Sequence, residues 1–277
     1  MIGIFINPGK VAAKTRFLEL FRTVKRSGLE FSVNTEVKKI FGEGYKYESV
    51  RDLVNGKKFV IAIGGDGTFL KMLHDSGSID NKYVLANIGR IGFLASFTLE
   101  ELIAGFKQIL SDHDKYIPLS LLETGHGPVK DFALNDIVFE NEGRTRLLDF
   151  KVYLDNEFYH LLRASGLIVS TPAGSSAICY SSGGPIVEAG LDLMIYKAIS
   201  PQFNSEPSLV FNGYRKLTVV NGNDFPIIYT VDGLITKKMG PGEKVTVTTM
   251  KHKKCNLILF KSKNISTILK EKIFNRD

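Results

Sequence analysis

The feature that most constrains the fold is a strand pattern, a glycine-rich turn and a helical pattern in direct succession. Residues 58–63 form a mostly apolar run, which is typical of a buried parallel strand. Phe69, Met72 and Leu73 then follow with the i, i+3, i+4 spacing of an amphipathic helix. The turn between them, at 64–67, therefore lies at the carboxyl end of a strand, where open α/β sheets bind their ligands.

The turn itself admits two interpretations. Gly64, Gly65 and Gly67 carry no Cβ, so backbone N–H groups there are able to approach a phosphate at the start of the helix. Asp66 would repel that anion unless it accepts a proton or holds a metal ion beside it. In the structural alternative, Asp66 or Thr68 caps the helix that follows. The turn alone leaves both interpretations open.

A phosphate site at this turn has to work without the lysine of a P-loop. The chain contains neither a GxxxxGK[ST] motif nor a GxGxxG motif after a strand. Lys71, one turn into the helix, is the nearest cation, and it is either a phosphate ligand or an ordinary solvated lysine.

Strand and helix patterns alternate through the first part of the chain, which predicts a parallel sheet. The strand patterns lie at 2–6, 29–33, 58–63 and 83–86. The helical patterns lie at 11–26, partly at 43–54, after the glycine-rich turn and at about 99–111. We therefore predict an α/β, Rossmann-like domain over residues 1–115.

From Tyr116 onward the chain shows only short strand-like runs, separated by turn pairs such as Asp155-Asn156, Asn221-Gly222 and Asp232-Gly233. The runs lie at 132–140, 147–154, 157–163, 166–170, 208–211, 216–220, 226–231, 244–249 and 256–260. They predict a mainly antiparallel β domain over 116–260. Residues 261–277 carry a weak amphipathic pattern, and we expect a helical tail that packs back on the first domain.

The composition excludes several classes of protein. No apolar stretch approaches the length of a membrane span. The net charge of +7 is dispersed along the chain apart from a cluster at 251–254, and no nucleic-acid module accompanies it. The two cysteines, Cys179 and Cys255, and the five scattered histidines form no metal-binding motif. We expect a cytoplasmic protein that binds neither membrane nor nucleic acid, and any metal ion to arrive with a nucleotide.

Two further stretches combine apolar and polar residues in an unusual way. Asn135-Asp136 interrupts an apolar run, and it is either a bulge or turn at a strand end or a clamp for a ribose or amide. Residues 166–177 lead from a buried strand into a loop rich in hydroxyls, which either binds a polar ligand or caps a helix. Asp232-Gly233 is expected to be a hairpin turn.

Together these motifs resemble the bacterial NAD kinases. The similar segments are Gly64-Gly65-Asp66-Gly67-Thr68, the Asn-x-Gly-x-x-Gly-Phe-Leu run at 87–94, Leu134-Asn135-Asp136, and the Thr-Pro-x-Gly-Ser-x-Ala run at 171–177 with Gly183-Gly184-Pro185 after it. Their order and spacing match over residues 1 to about 260. The first motif is shared with lipid kinases of the diacylglycerol type and resembles the loop of phosphofructokinases, whereas the Asn-Asp and Thr-Pro motifs are more discriminating.

The resemblance implies phosphorylation of the 2′-hydroxyl on the adenosine ribose of NAD, by ATP or polyphosphate with Mg²⁺ or another divalent ion. It implies an active site between the two domains, and assembly as a homodimer or homotetramer. Asp66 is implied as the catalytic base, and no protein ligand to the metal is implied. The residues implied in phosphate and nucleotide binding are Gly64, Gly65, Gly67, Thr68 and Lys71. Those implied in NAD binding are Asp66, Gly67, Phe69, Asn135, Asp136, Arg146, Arg163, Thr171, Ala173, Ser176, Ala177 and Ser181.

The chain departs from the family pattern on the NAD-binding side. Ala173 and Ser176 stand where threonine is usual, Ile178 where tyrosine is usual, Ser165 where an Asp-Gly pair is typical, and Leu234 where glutamine often follows Asp-Gly. Arg146 and Arg163 are either compensating ligands or surface arginines.

Two other functions compete with this interpretation. A lipid kinase of the diacylglycerol kinase type would use the same glycine-rich turn, but it leaves Asn135-Asp136 unexplained and the chain shows no strong basic amphipathic helix. A non-catalytic dinucleotide-binding regulator would not need Asp66. Formation of NADP from NAD, ATP and Mg²⁺ separates the three.

Overall fold

The computed structural model describes residues 1–9, 14–88, 92–94, 97–112, 116–125, 130–143, 146–203 and 206–258. The chain divides into two compact units. The first contains the described residues of Met1–Pro118 and those from Cys255 onward, and the second is Leu119–Lys254. The predicted helical tail at 261–277 lies outside the described residues.

The elements up to residue 119 alternate between strands and helices. They are β1 (Ile2–Ile6), α1 (Lys14–Arg26), β2 (Phe31–Asn34), α2 (Lys38–Phe41), β3 (Lys46–Glu48), α3 (Val50–Val54), β4 (Val60–Ile63), α4 (Asp66–Ser76), β5 (Lys82–Asn87), β6 (Phe97–Thr98), α5 (Leu99–Ala104), α6 (Phe106–Asp112) and β7 (Tyr116–Leu119).

The remaining elements are almost all strands. They are β8 (Leu122–Gly125), β9 (Phe132–Ala133), β10 (Asp136–Glu140), β11 (Leu148–Leu154), β12 (Glu157–Ser170), α7 (Ile178–Ser181), β13 (Leu193–Pro201), β14 (Leu209–Asn212), β15 (Leu217–Asn221), β16 (Ile227–Val231), β17 (Ile235–Met239), β18 (Lys244–Thr249) and β19 (Cys255–Ile258).

The first unit is built on a sheet with the strand order β3-β2-β1-β4-β5-β19-β7, in which β6 also pairs with β5. The pairs β1–β2, β1–β4 and β4–β5 are parallel. The predicted α/β fold is therefore confirmed. Because β1 lies between β2 and β4, the strand order reverses there, and the carboxyl ends of β1 and β4 form a topological switch point, the usual ligand position in such sheets.

Helices cover this sheet through apolar faces that the sequence predicts. Phe17, Leu20, Phe21 and Val24 of α1 are buried in the core. The helical pattern at 99–111 is two helices, α5 and α6, because Gly105 separates them. None of the helices in the described ranges is both long and apolar enough to cross a membrane.

The second unit is an antiparallel sheet with the order β17-β16-β10-β12-β11-β15-β18-β8-β9, and β13 and β14 continue from β12. Its main core lies on one face and includes Phe139, Phe150, Leu167 and Tyr229, all fully buried. A smaller cluster on the other face joins Val138 and Ile168 to Cys179 of α7. The predicted antiparallel β architecture is confirmed.

Several strands differ from the predicted runs. β12 is one strand where two runs were expected. Its core positions change from Leu162 and Ala164 to Leu167 and Val169, so the alternation of buried residues slips by one position. This slip made one strand look like two in the sequence. Six strands have no counterpart in the predicted runs, namely β3, β6, β7, β8, β13 and β17. β19, which we expected in the β domain, pairs with β5 in the first sheet, where Cys255 and Ile258 are buried.

Candidate functional site

Asp66 is held by the loop that follows β5. It is the first residue of α4, and Gly65 before it is the N-cap residue. Its Oδ2 accepts a hydrogen bond from the Phe93 amide at 2.8 Å, and its Oδ1 accepts one from the Leu94 amide at 3.2 Å. A Cβ at Gly92 would lie 2.1 Å from Oδ1, so the loop backbone approaches the carboxylate closely. Asp66 is therefore oriented by this loop and does not cap α4.

The surroundings of Asp66 lie at the switch point of the first sheet. Asn7, directly after β1, donates from Nδ2 to the Thr68 hydroxyl at 2.9 Å. Thr68 is the third residue of α4 and is not its N-cap residue. The Gly64 amide donates to the Ala86 carbonyl at 2.8 Å, so this amide belongs to the sheet and does not face a phosphate. The exposed Gly67 lies in the first turn of α4, where N–H groups have no acceptor within the helix.

Two residues predicted near the phosphates or NAD have other roles in this structure. Phe69 is fully buried, and its ring packs edge-on against Tyr83 with centroids 5.3 Å apart. Phe69 is thus a core residue, because it lies on the apolar face of α4. Lys71 is exposed and pairs with Asp75 at 2.7 Å, one turn further along the helix. This geometry matches the solvated-lysine alternative.

The second unit gathers three of the sequence motifs around the start of β10. The Asp232 carboxylate, in the turn after β16, accepts hydrogen bonds from the amides of Leu134, Asn135 and Asp136 at 2.8, 2.8 and 3.1 Å. This explains why the predicted run 132–140 is two strands: the amides at the break bond to a side chain and not to a neighbouring strand. The turn pair Asp232-Gly233 thus does more than close a hairpin.

The Thr-Pro motif packs against the same backbone. The Thr171 hydroxyl donates to the Leu134 carbonyl at 2.6 Å, and the Thr171 amide donates to the Asn135 carbonyl at 2.8 Å. A Cβ at Gly174 would lie 2.1 Å from the Asn135 carbonyl oxygen, so only glycine fits there without a backbone shift. The sequence-predicted Asn135, Asp136 and Thr171 therefore lie together.

The side chains of this cluster are polar groups with few partners. The buried Asn135 Oδ1 has no hydrogen-bond donor within the described part of the chain. The carboxyl of the neighbouring Asp136 is also buried, with the residue only 5% exposed. Burial, and then the negative charge of Asp232, raise the pKa of Asp136 to about 7. These groups are suited to accept, or at Asp136 also to donate, hydrogen bonds to a ligand.

The segment after Thr171 supplies small, partly accessible groups. Ala173 is buried, and the Ser176 hydroxyl donates back to its carbonyl at 3.2 Å. Ala177 is half-buried, and Ser181 at the end of α7 is exposed. Ile178, at one of the departure positions, is 41% exposed, so an apolar side chain faces solvent where the family usually has tyrosine.

The two arginines lie at the other end of these strands. Arg163 is seven residues before Ser170 on β12, about 23 Å away at the usual rise of a strand. It is exposed and lies 3.6 Å from Asp149. Arg146 stacks over the Phe225 ring at 4.4 Å, just before β11, whose first residue pairs with Ala164. The structure does not bring either arginine to the cluster around Asn135.

Sequence reasoning missed three parts of these sites. Asn7 was detectable as the residue after β1, because the carboxyl ends of adjacent parallel strands meet. Asp232 was detectable only as a turn residue. Lys197 lies on the unpredicted strand β13, and its positive charge lowers the pKa of Cys179 in opposition to burial and Asp136, which raise it to about 11.

A mainly parallel sheet with a glycine-rich turn at its switch point, followed by an antiparallel unit, defines a two-unit α/β nucleotide-binding protein. The family comparison is more specific. Residues 2–114 match the ATP-NAD kinase N-terminal domain, and residues 134–259 match the ATP-NAD kinase C-terminal domain. The chain belongs to the NAD kinase family.

Individual relatives agree with this assignment. The chain is 32% identical to an NAD kinase of Clostridium botulinum over 283 residues, covering 99% of this chain and 96% of the relative. It is 28% identical to an NAD kinase of Acetivibrio thermocellus over 282 residues, covering 99% and 97%.

Solved structures support the fold. The yeast NADH kinase in complex with NADH superposes with a TM-score of 0.88 at 19% identity, covering 100% of this chain and 88% of that chain. An NAD kinase from Archaeoglobus fulgidus in complex with ATP superposes with a TM-score of 0.77 at 21% identity, covering 95% of each.

Proposed function

We propose that this protein phosphorylates the 2′-hydroxyl on the adenosine ribose of NAD, forming NADP. Membership of the NAD kinase family supports this reaction. The observation that carries the mechanism is the Asp66 carboxylate, held by two amides at the switch point of the first sheet. Such fixation suits a group that must meet a hydroxyl in one orientation.

The chemistry is a phosphoryl transfer. The 2′-oxygen of the ribose forms a bond to the terminal phosphorus of the donor, and the bond from that phosphorus to the bridging oxygen breaks to release the shortened donor. Asp66 accepts the proton of the 2′-hydroxyl. Such transfers depend mainly on positioning and electrostatics, and a base typically contributes about 10²- to 10⁴-fold.

The donor in this proposal is ATP or polyphosphate as its complex with Mg²⁺ or another divalent ion. No three His, Cys, Asp or Glu side chains in the described ranges converge on a metal position. We therefore assign the ion to the donor's phosphates, which are hard oxygen ligands that suit Mg²⁺. Gly65, Gly67 and Thr68 are the residues proposed for the phosphate side.

NAD binding is proposed for Asn135, Asp136, Thr171, Ala173, Ser176, Ala177 and Ser181. The support is the buried Asn135 Oδ1, which has no partner among the described residues, and the Thr-Pro segment, whose Thr171 and Gly174 contact the Asn135 backbone. Adenine, ribose and carboxamide groups of a dinucleotide all offer N–H or O–H donors to such an acceptor. Phe69, Lys71, Arg146 and Arg163 are left out of this set because of their positions in the structure.

The proposal also includes a homodimer or homotetramer in the cytoplasm. Phe158, Leu161 and Phe203 are large apolar side chains of the second unit that are 60%, 57% and 66% exposed. Exposed apolar groups of this size favour a contact between copies. Cys179 and Cys255 are free, as suits a reducing compartment.

The test is an assay of the purified protein with NAD, ATP and Mg²⁺, in which NADP is measured with an NADP-specific dehydrogenase. Parallel reactions replace ATP with polyphosphate, NAD with NADH, or NAD with diacylglycerol. We expect phosphorylation of a dinucleotide. Binding of NAD without NADP formation would indicate a regulator, and phosphorylation of the lipid alone would indicate a lipid kinase.

A further inference from the structure

Asp232 occupies an unusual place for a turn residue. It is the first of three residues between β16 and β17, with φ of 51°, and Gly233 follows with φ of 67°. These angles are those of a tight hairpin turn, for which Asn-Gly and Asp-Gly are both favoured. Turn residues are normally exposed, yet Asp232 is only 8% exposed.

Its carboxylate is directed at a segment far away in sequence. Three consecutive amides, those of Leu134, Asn135 and Asp136, donate to it. In return, the Asp232 amide donates to the Asp136 carbonyl at 2.9 Å. Hydrogen bonds to an ionised acceptor are roughly twice as strong as neutral ones. One charged side chain thus holds the backbone that presents Asn135 and Asp136.

The other side of the same backbone is held as well. Thr171 bonds the carbonyls of Leu134 and Asn135, while Asp232 bonds their amides. The peptide groups on both sides of Asn135 are therefore fixed at their N–H and at their C=O. What this backbone presents is the Asn135 side chain, whose buried Oδ1 has no hydrogen-bond donor among the described residues.

Electrostatics argues that the charge at Asp232 serves more than the turn. A buried carboxylate next to Asp136 is unfavourable, and its effect on Asp136 shows that the two groups interact. A hairpin turn alone is made equally well by neutral asparagine. The three amides offset the cost of burying the Asp232 carboxylate. The charge at Asp232 is therefore tied to the backbone of 134–136.

We propose that Asp232 is a positioning residue for NAD binding, which holds the Leu134–Asp136 backbone so that the Asn135 and Asp136 side chains meet the dinucleotide. This inference rests on the proposed function. It assigns Asp232 no contact with the reacting atoms. Its effect must therefore appear in the affinity for NAD and not in that for the phosphoryl donor.

The test compares Asp232→Asn with Asp155→Asn. Asp155 is a matched control, since it is also the first residue of a hairpin turn, with φ of 53°, and its carboxylate also accepts a backbone amide, that of Lys216 at 2.8 Å. Asparagine keeps the shape of Asp232 but places an N–H₂ group against at least one amide. We expect the Kd and KM for NAD to rise by about tenfold or more, because hydrogen bonds to a charged group are lost. The KM for ATP should stay within about twofold, the range of a surface substitution.

A second comparison separates positioning from general destabilisation. If Asp232 acts through Asn135, the double variant Asp232→Asn/Asn135→Ala should lose far less NAD affinity than the sum of the single losses. Additive losses, equal changes in the KM for NAD and ATP, or an Asp155→Asn variant that weakens NAD binding as much would each overturn the proposal.

Two controls keep this result apart from the proposed function. NAD affinity is measured by calorimetry without a phosphoryl donor, so the comparison does not depend on catalysis. A wild-type protein that binds NAD but forms no NADP would contradict only the proposed reaction. If Asp232→Asn does not fold, amide hydrogen exchange of the wild-type protein decides. Protected amides at 134–136 in the absence of NAD support the positioning role, and rapid exchange there contradicts it.

Discussion

The contact between Asp66 and the loop after β5 makes a prediction at the scale of one residue. In Gly92→Ala the new Cβ would lie 2.1 Å from the Asp66 Oδ1, so the carboxylate or the loop must move. Small misplacements of a catalytic group are costly, and we expect kcat to fall by about 10- to 100-fold. Gly44→Ala is the control, because its Cβ would meet open space in the same unit. Steady-state kinetics with NAD varied checks this, and an unchanged kcat would contradict the assigned role of the loop.

Asp136 makes a second prediction, about pH. Its folded-state pKa of about 7 exceeds the ordinary value of 3.8, so the folded protein binds this proton more tightly than the unfolded chain. Its contribution to stability is therefore complete below the ordinary value and is lost as the pH rises toward 7. Urea unfolding across this range should show a decline in the free energy of unfolding that is absent in Asp136→Asn.

Among the residues that the structure describes, few charged and titratable groups act around Asp136. They are Asp232 from the turn after β16, Cys179 from α7, and Lys197 from β13, which acts on Cys179. Asp155→Asn serves as the control, since it removes an exposed carboxylate from the same unit. If the wild-type protein and Asp136→Asn show the same pH dependence, Asp136 is not the group that titrates.

Residue-level predictions from the sequence succeed where a motif has local geometry. The sequence places Asp66 between a strand and a helix, and the structure has it there. It does not reveal that Asp66 is held by Phe93 and Leu94, because that contact joins two loops distant in the chain. The helical spacing of Phe69 indicated a core position, and the core is where it lies.

At the scale of elements, the packing of the Thr-Pro segment on Asn135 makes a third prediction. In Gly174→Ala the new Cβ would lie 2.1 Å from the Asn135 carbonyl oxygen, so the backbone must shift. Such overpacking costs about 1–3 kcal/mol, and we also expect weaker NAD binding. Gly125→Ala is the control, with a Cβ in ordinary contact with Thr246 at 3.7 Å. Unfolding and calorimetric titrations check both effects, and a variant with wild-type affinity would exclude this segment from the NAD site.

The elements that the sequence missed have physical reasons. β17 is an edge strand at the end of its sheet order, and its lysines, Lys237 and Lys238, give it a polar sequence. Edge strands often carry such charges, which hide the alternation of a strand. β12 was divided because its alternation slips near Ser165. Elements with a regular burial pattern are predicted correctly, such as the fully buried strands β1 and β4 and the helix α1, which buries one face.

At the scale of the molecule, the chain returns to its first unit through β19. Ile258 is 1% exposed in the core of that unit. We expect Ile258→Ala to lower its stability by about 2–5 kcal/mol, the usual cost of such a truncation. Hydrogen exchange should show faster exchange in β4 and β5 than in the wild-type protein, with β11 and β12 unchanged. Asn256→Ala, half-buried on the same strand, is the control, and an equal effect on both sheets would contradict the assignment of β19 to the first unit.

Architecture is the scale at which sequence and structure agree best. Strands that alternate with helices indicate a parallel sheet, because a helix usually connects two parallel strands. Strands that follow one another directly indicate an antiparallel sheet. The limits of each unit are less predictable, since β19 follows directly after the eleven strands β8–β18 of the second unit and is itself a short strand-like run. Its partner, β5, lies more than 150 residues earlier in the chain.

The most direct test of the proposed function is NADP formation by the wild-type protein and by Asp66→Asn in a single turnover, with bound NAD and excess ATP and Mg²⁺. Asp75→Asn, exposed on the same helix, is the control. We predict that the wild-type protein and Asp75→Asn form NADP phosphorylated at the 2′-position, and that Asp66→Asn does so about 10²- to 10⁴-fold more slowly while still binding NAD. Equal rates for Asp66→Asn and the wild-type protein, or NAD bound without any NADP formed, would contradict the account.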